Sequence, residues 1–242
     1  MTREIGIVGY GRFGRLAASF LSRNHKVFIA DRRPIRVKAS SVRTVSLQEA
    51  AGKETVILAV PINKLPIVLK RIAPFLTEQA LVCDVSSVKE EPARWMKLYL
   101  PTHVSILGTH PLFGPDSVSD SLNGRNIVLS PIRISRQKIE TLTGKLNAFG
   151  LNVFRMSPRA HDKLMASTLL LTQFIGRGLV KYKLPATPLT THNFDLLRQI
   201  VSTANNDTVE LFKDMFQFNR FAKAQIMRVP GIYASLLRSL ER

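Results

Sequence analysis

Cysteine is all but missing: Cys83 is the one cysteine in 242 residues. No internal disulfide framework can form, which fits a reducing compartment and an expected cytoplasmic location. Five scattered histidines give no ligand spacing with that cysteine, so no metal site is expected. Long apolar runs are also lacking. None approaches the ~18 uninterrupted apolar residues of a membrane-spanning helix, and the nearest stretch, 168–180, carries Arg177. Arg3 and Glu4 open directly into a strand pattern, which is not a signal peptide, so no membrane partner is expected. Repeats and low-complexity segments are absent. What is present, 45% apolar residues with 13 Gly and 13 Pro, is ordinary globular composition.

Acidic residues are scarce. Seventeen Asp+Glu face 35 Lys+Arg, a formal charge of +18. The first 43 residues are the most basic part, with ten Lys+Arg, Arg36 and Lys38 among them, against Glu4 and Asp31. Such a balance attracts polyanions without specifying which. No zinc finger, aromatic RNP strand or basic zipper accompanies it. The expectation is therefore a basic proteome or an acidic small-molecule substrate rather than nucleic acid.

Hydropathy divides the chain in two. Short apolar runs at 5–8, 27–30, 55–60, 81–85, 104–107, 127–129 and 152–154 read as strands, and helical patterns at 13–22, 62–76, 90–99 and 135–149 separate them. Nearly continuous apolar strands alternating with helices predict a doubly wound, mostly parallel Rossmann-type sheet covered on both faces. After Met156 only helical spacing recurs, at 160–181, 194–201 and 208–224. The predicted organisation is a dinucleotide-binding domain at 1–156 followed by an all-α domain at 157–242 for substrate binding and dimerisation.

The first apolar run enters Gly9-Tyr10-Gly11-Arg12-Phe13-Gly14, a G-x-G-x-x-G between a strand and a helix. Gly9 permits the tight turn, Gly11 lets backbone approach a pyrophosphate, and Gly14 lets helix pack on strand. Free N–H groups near Arg12 and Phe13 would face the phosphates. Asp31 follows the second strand, where a carboxylate can bind a ribose 2′-hydroxyl and disfavour a 2′-phosphate. Arg32 and Arg33 could instead pair with such a phosphate. NAD is favoured and NADP stays possible. Val60 and Pro61 after the third strand, and Ser86 after the fourth, complete the expected cofactor contacts.

Two more segments fall at carboxyl ends of strands: Asp84-Val85-Ser86-Ser87-Val88-Lys89, and Gly108-Thr109-His110-Pro111-Leu112-Phe113-Gly114-Pro115 in an expected strand-end loop. Beside a nicotinamide, His110 is the natural acceptor for a hydroxyl proton. Ser87 can bind the same hydroxyl or merely cap the helix near Lys89. Lys89 reads equally as a surface charge or a ligand.

These two segments together resemble the prephenate/arogenate dehydrogenase (TyrA) family. Met156-Ser157 with Ala160-His161-Asp162, Gln173 to Arg177, Asp207 to Phe212 and Phe218-Asn219 follow in the same order, nearest to the plant arogenate type and its bacterial relatives. The resemblance implies oxidation of the ring hydroxyl of prephenate or arogenate with loss of the ring carboxylate, in tyrosine biosynthesis. It makes His110 the catalytic histidine and Ser87 its hydroxyl-binding partner. It also implies cationic anchors for substrate carboxylates, for which His192, Arg198 and Arg220 are candidates. The pair His161-Asp162 is open to a plain helix-start reading. The plant enzymes carry a small hydroxyl residue where Asp31 stands, so their NADP preference does not transfer. Tyrosine feedback through an added domain is not expected. The competitors are another Rossmann-fold reductase, of the 3-hydroxyacid dehydrogenase or pyrroline-carboxylate reductase type, and a non-catalytic, dinucleotide-sensing basic binding protein.

Overall fold

The computed structural model describes residues 3–35, 37, 41–185 and 187–241. Arg36 and Lys38 of the basic stretch lie outside them. The chain divides into two compact units, 1–161 and 162–242. The division lies after His161, in the helix that begins at Pro158, a few residues beyond Met156.

The first unit runs β1 (Glu4–Val8), α1 (Arg12–Leu21), β2 (Lys26–Ala30), β3 (Val42–Thr44), α2 (Leu47–Ala51), β4 (Thr55–Leu58), α3 (Leu65–Ile72), β5 (Leu81–Asp84), α4 (Glu90–Tyr99), β6 (Ser105–Pro111), β7 (Asn126–Arg133), α5 (Arg136–Ala148) and β8 (Asn152–Arg155). The eight strands form one sheet in the order β3-β2-β1-β4-β5-β6-β7-β8. All neighbours are parallel except β6 and β7, so the sheet is the expected mostly parallel one. Its strands are apolar along their length because helices cover both faces. On one face Ala18 of α1 packs on Ile5, Ile7, Val27 and Ile29. On the other, Val56, Leu58, Val82 and Ile106 are fully buried, with α4 against β6 and α2 against β1.

Local chemistry sets the ends of elements. Ser135 caps α5 by accepting from the N–H of Lys138, and Ser46 caps α2 by accepting from that of Glu49. The helix expected over 62–76 is interrupted: Pro66 and Pro74 each sit in a first turn, and 3₁₀ turns flank α3. The strand β3 and helix α2 were not anticipated, being too short to show a period.

α6 (Pro158–Ser167) leads into the second unit, followed by α7 (Leu169–Tyr182), α8 (His192–Asn206), α9 (Val209–Phe218), α10 (Ala222–Ile226) and α11 (Arg228–Leu240). The single helix expected over 160–181 is broken at Thr168, whose φ of −116° and ψ of −83° leave the helical region. The pattern over 208–224 likewise splits where Asn219 is extended. Leu170, Met215, Ala222 and Ile226 form the core of this unit. Gly176 lets α7 and α8 approach closely, since a Cβ there would stand 2.7 Å from the Cβ of Ala204.

Candidate active site

Sheet register gathers the motif residues. Ala30, Val8, Leu58, Asp84 and Gly108 lie side by side across β2, β1, β4, β5 and β6. The segments that follow them therefore emerge at one edge: Asp31, the glycine turn, Ala59 to Pro61, and Val85 to Lys89, with the end of β6 beside them. This is the carboxyl edge where doubly wound sheets bind their ligands.

The glycine turn has the geometry its sequence implies. Gly9 adopts φ +100°, and a Cβ there would lie 2.3 Å from the carbonyl oxygen of Ala59. A Cβ on Gly14 would lie 2.2 Å from the oxygen of Gly9, so only glycine lets α1 sit this close to the turn. At Gly11 a Cβ would meet nothing within 4 Å. Gly11 is also the N-cap of α1, with no side-chain capping bond and no acidic residue in the first turn. An open backbone approach to a positive helix end suits a pyrophosphate. Asp31 is tied to this turn, its Oδ2 accepting from the N–H of Tyr10 at 2.7 Å and its Oδ1 from that of Arg33 at 2.9 Å. Burial raises the Asp31 pKa, but the hydrogen bonds from Arg33 and Tyr10 and the Arg33 charge outweigh it and lower it overall. Of the remaining expected contacts, Arg12 pairs with Asp116 at 2.6 Å. Arg32 and Pro61 are exposed, while Phe13 and Val60 are half-buried. Ser86 is buried, its N–H donating to Asp84 Oδ2 at 3.0 Å. These residues fit a nicotinamide dinucleotide.

Beside them lies a buried polar nest. His110 is not in a loop: β6 runs on to Pro111, and His110 pairs with Val128 of β7. It is 5% exposed, and its Nδ1 stands 2.8 Å from Nε2 of His161. Burial first, then the charges of His161 and Lys89, hold its pKa well below the usual histidine range. It is thus a neutral base at neutral pH. His161 is fully buried on the first turn of α6, a helix begun by Pro158, with the Ser157 hydroxyl accepting from the N–H of Ala160. The helix-start reading of His161 holds, and its ring in addition faces His110. The reading of Lys89 needs correction. It is 1% exposed and ion-paired with the fully buried Asp84, neither a surface charge nor open to a ligand. Gly108 leaves the space for it, since a Cβ there would come within 3.1 Å of Lys89 Cδ. The hydroxyl of Thr109 ties β6 to β5 by donating to the Asp84 carbonyl at 2.6 Å.

Ser87 is half-buried between Asp84 and α4. The N-cap of α4 is Lys89 and has no side-chain capping bond, so the capping role is not realised. His192, Arg198 and Arg220 are exposed on the second unit, in the first turn of α8, farther along α8, and in the turn after α9. The motif residues of that unit serve packing. Gln173 donates to Asp207 Oδ2 at 2.7 Å, and Arg177 donates to the carbonyls of Asp207 and Thr208 at 2.8 and 3.0 Å. Asn219 donates to the carbonyl of Asp162 at 2.8 Å. Among the described residues no cluster of metal ligands occurs and no helix is long and apolar enough to cross a membrane.

The nucleotide-binding-domain model of prephenate dehydrogenase matches residues 21–153, and a TYRAAT1-like C-terminal domain matches 179–241. Among curated proteins, arogenate dehydrogenase 2, chloroplastic, of Arabidopsis thaliana is 30% identical over 98% of this chain and 70% of its own length. Arogenate dehydrogenase 1 of the same plant is 29% identical over 98% of this chain, which spans only 39% of it. The crystal structure of Aquifex aeolicus prephenate dehydrogenase, solved with hydroxyphenyl propionate and NAD+, shares the fold. It aligns with 100% of this chain and 90% of that one, at a TM-score of 0.74 and 22% identity. Synechocystis arogenate dehydrogenase aligns over 98% and 91%, at 0.65 and 20%. With more than half of its length matched by the family's nucleotide-binding domain, and with a 30% identical relative covered over 70% of its length, the chain belongs to the prephenate/arogenate dehydrogenase family of nicotinamide-dependent oxidoreductases.

Proposed function

We propose that this chain oxidises and decarboxylates prephenate or arogenate with His110 as the base, Ser87 as the hydroxyl-binding partner and NAD as the preferred cofactor. The observation that carries this reading is the His110–His161 pair, buried and 2.8 Å apart at the strand edge that also presents the glycine turn and Asp31. Gly9, Gly11, Gly14, the N–H groups at Arg12 and Phe13, and Asp31 would hold the dinucleotide, with Val60, Pro61 and Ser86 beside it. When bound, the dinucleotide supplies the hydride acceptor.

The hydrogen between the two imidazoles can lie on either nitrogen. With it on His110 Nδ1 and accepted by His161, the Nε2 of His110 keeps a lone pair and takes the substrate hydroxyl proton. His161 is then a positioning residue that fixes the tautomer. As the ring carboxylate leaves as CO₂, its bonding electrons enter the ring, which becomes aromatic, and the proton returns to the phenolate oxygen. Burial, with the charges of His161 and Lys89, keeps His110 deprotonated for the first step. Cationic side chains of the second unit, with His192, Arg198 and Arg220 as candidates, would anchor the substrate carboxylates.

Asp31 supports NAD over NADP, because its carboxylate would meet a 2′-phosphate. Arg33 pairs with that carboxylate at 3.4 Å, while Arg32 is exposed. Homodimerisation through the second unit is supported by α11, which buries no residue and exposes Ile232, Tyr233, Leu236, Leu237 and Leu240. A buried single cysteine suits the cytoplasm. The test is formation of reduced nicotinamide by purified protein in a cross of prephenate and arogenate with NAD and NADP. Turnover is expected, and it should be faster with NAD. Protein that binds NAD yet turns over neither substrate would overturn the reading.

A further inference from the structure

The first unit carries a cavity that this chemistry does not use. A groove of about 610 Å³ lies over the middle of the sheet, between Phe13, Leu16 and Phe20 of the α1 wall and Leu142 and Leu146 of α5. Thr109 and Pro111 line it, so His110, which alternates with them along β6, faces the other side of the sheet. The two faces are covered unequally. In β4 and β5, Val56, Leu58 and Val82 are fully buried on the far face. Their alternating neighbours Ile57 and Leu81, on the groove floor, stay half-buried at the centre of an eight-stranded sheet. Cys83 lies on the same floor.

The lining charge is one-sided. Arg3, Lys138 and Lys145 border the groove, with the imidazole of His25, against one acid among the described lining residues, Glu54. Burial lowers the pKa of His25, and the nearby charges of Lys145 and Arg3 lower it further, so a neutral imidazole lies near both cations, its Nδ1 accepting from the backbone N–H of Arg3 at 3.4 Å. The volume is that of a small-ligand site, ~300–1,000 Å³.

We propose that this groove binds a long-chain carboxylate, its alkyl chain lying on Ile57, Leu81 and Cys83 and its carboxylate held by Arg3, His25 and Lys145. The site is separate from the proposed catalytic one and stands or falls without it.

The probe is dodecanoate titrated into the full chain by calorimetry, with dodecanol as the uncharged control. Saturable binding at one per chain is expected, with dodecanol weaker by about tenfold, the size of one lost charge-assisted contact. Lys145→Glu should weaken dodecanoate by about tenfold and leave dodecanol unchanged. Leu81→Trp should abolish both while NAD binding persists. The proposal is overturned by a lack of saturable binding, by equal affinity for the alcohol, or by an undiminished dodecanoate affinity in Lys145→Glu.

Discussion

The two units bury polar side chains for different ends. In the first, Asp84, Lys89, Thr109, His110 and His161 are buried together where β5 and β6 end. In the second, Gln173 and Asn219 are also buried, and the amide NH2 of each stitches helix to turn, Gln173 to Asp207 and Asn219 to the carbonyl of Asp162. Both sets belong to motifs that carry the family resemblance. What separates His110 from Asn219 is whether the group keeps an atom to offer: His110 has a second ring nitrogen, whereas the amide of Asn219 is engaged at both ends, donating to Asp162 and accepting from Phe221.

The largest effect expected from breaking this contrast is catalytic. His110→Asn should bind NAD as the parent does and lose ~10²–10⁴-fold in turnover, the contribution of a positioned base. Parent-like turnover would remove His110 from the role. Lys89→Met is next. It strands the Asp84 carboxylate without its partner in a fully buried site, and breaking such a pair costs about 3–5 kcal/mol. A urea titration should show that loss, and Asp84→Leu added to Lys89→Met should recover much of it. In the second unit, Gly176→Ala drives a Cβ into Ala204 and should cost about 1–3 kcal/mol through overpacking of α7 on α8, with turnover per folded molecule unchanged. Asp31→Ser should move the NAD/NADP ratio of kcat/KM toward NADP while leaving thermal stability near the parent value. An unmoved ratio counts against the ribose contact.

The smallest effect is a pH dependence. The folded-state pKa of His110 is depressed, so the unfolded chain binds the proton more readily. The stability this group contributes is complete above about pH 6.5 and falls as the pH drops from there toward the folded value. The slope is at most ~1.4 kcal/mol per unit. His110→Asn should flatten that part of the curve, measurable as the change in Tm between neutral and mildly acid buffer.

Much of this was legible residue by residue. The glycine turn, the strand before it and the carboxylate at the end of β2 depend on backbone conformation and short-range spacing, so Gly9, Gly14 and Asp31 sit where their pattern put them. The breaks at Thr168 and Asn219 were not visible, because helical periodicity continues across both while the backbone leaves the helix. The helix α11 escaped notice for the converse reason: its apolar residues find no core among the described residues.

Sequence alone determined the Rossmann-type frame, the dinucleotide turn and the nomination of His110, since each follows from local periodicity or from residues within one strand–turn–helix unit. Tertiary structure alone decided that His161 faces His110 across 51 positions of chain, that Lys89 is an interior partner of Asp84, and that one face of β4 and β5 stays open between α1 and α5. The reason is physical. Burial and pairing of charged and titratable groups depend on which strands become neighbours, and strand order is settled only when the whole sheet closes on its helices.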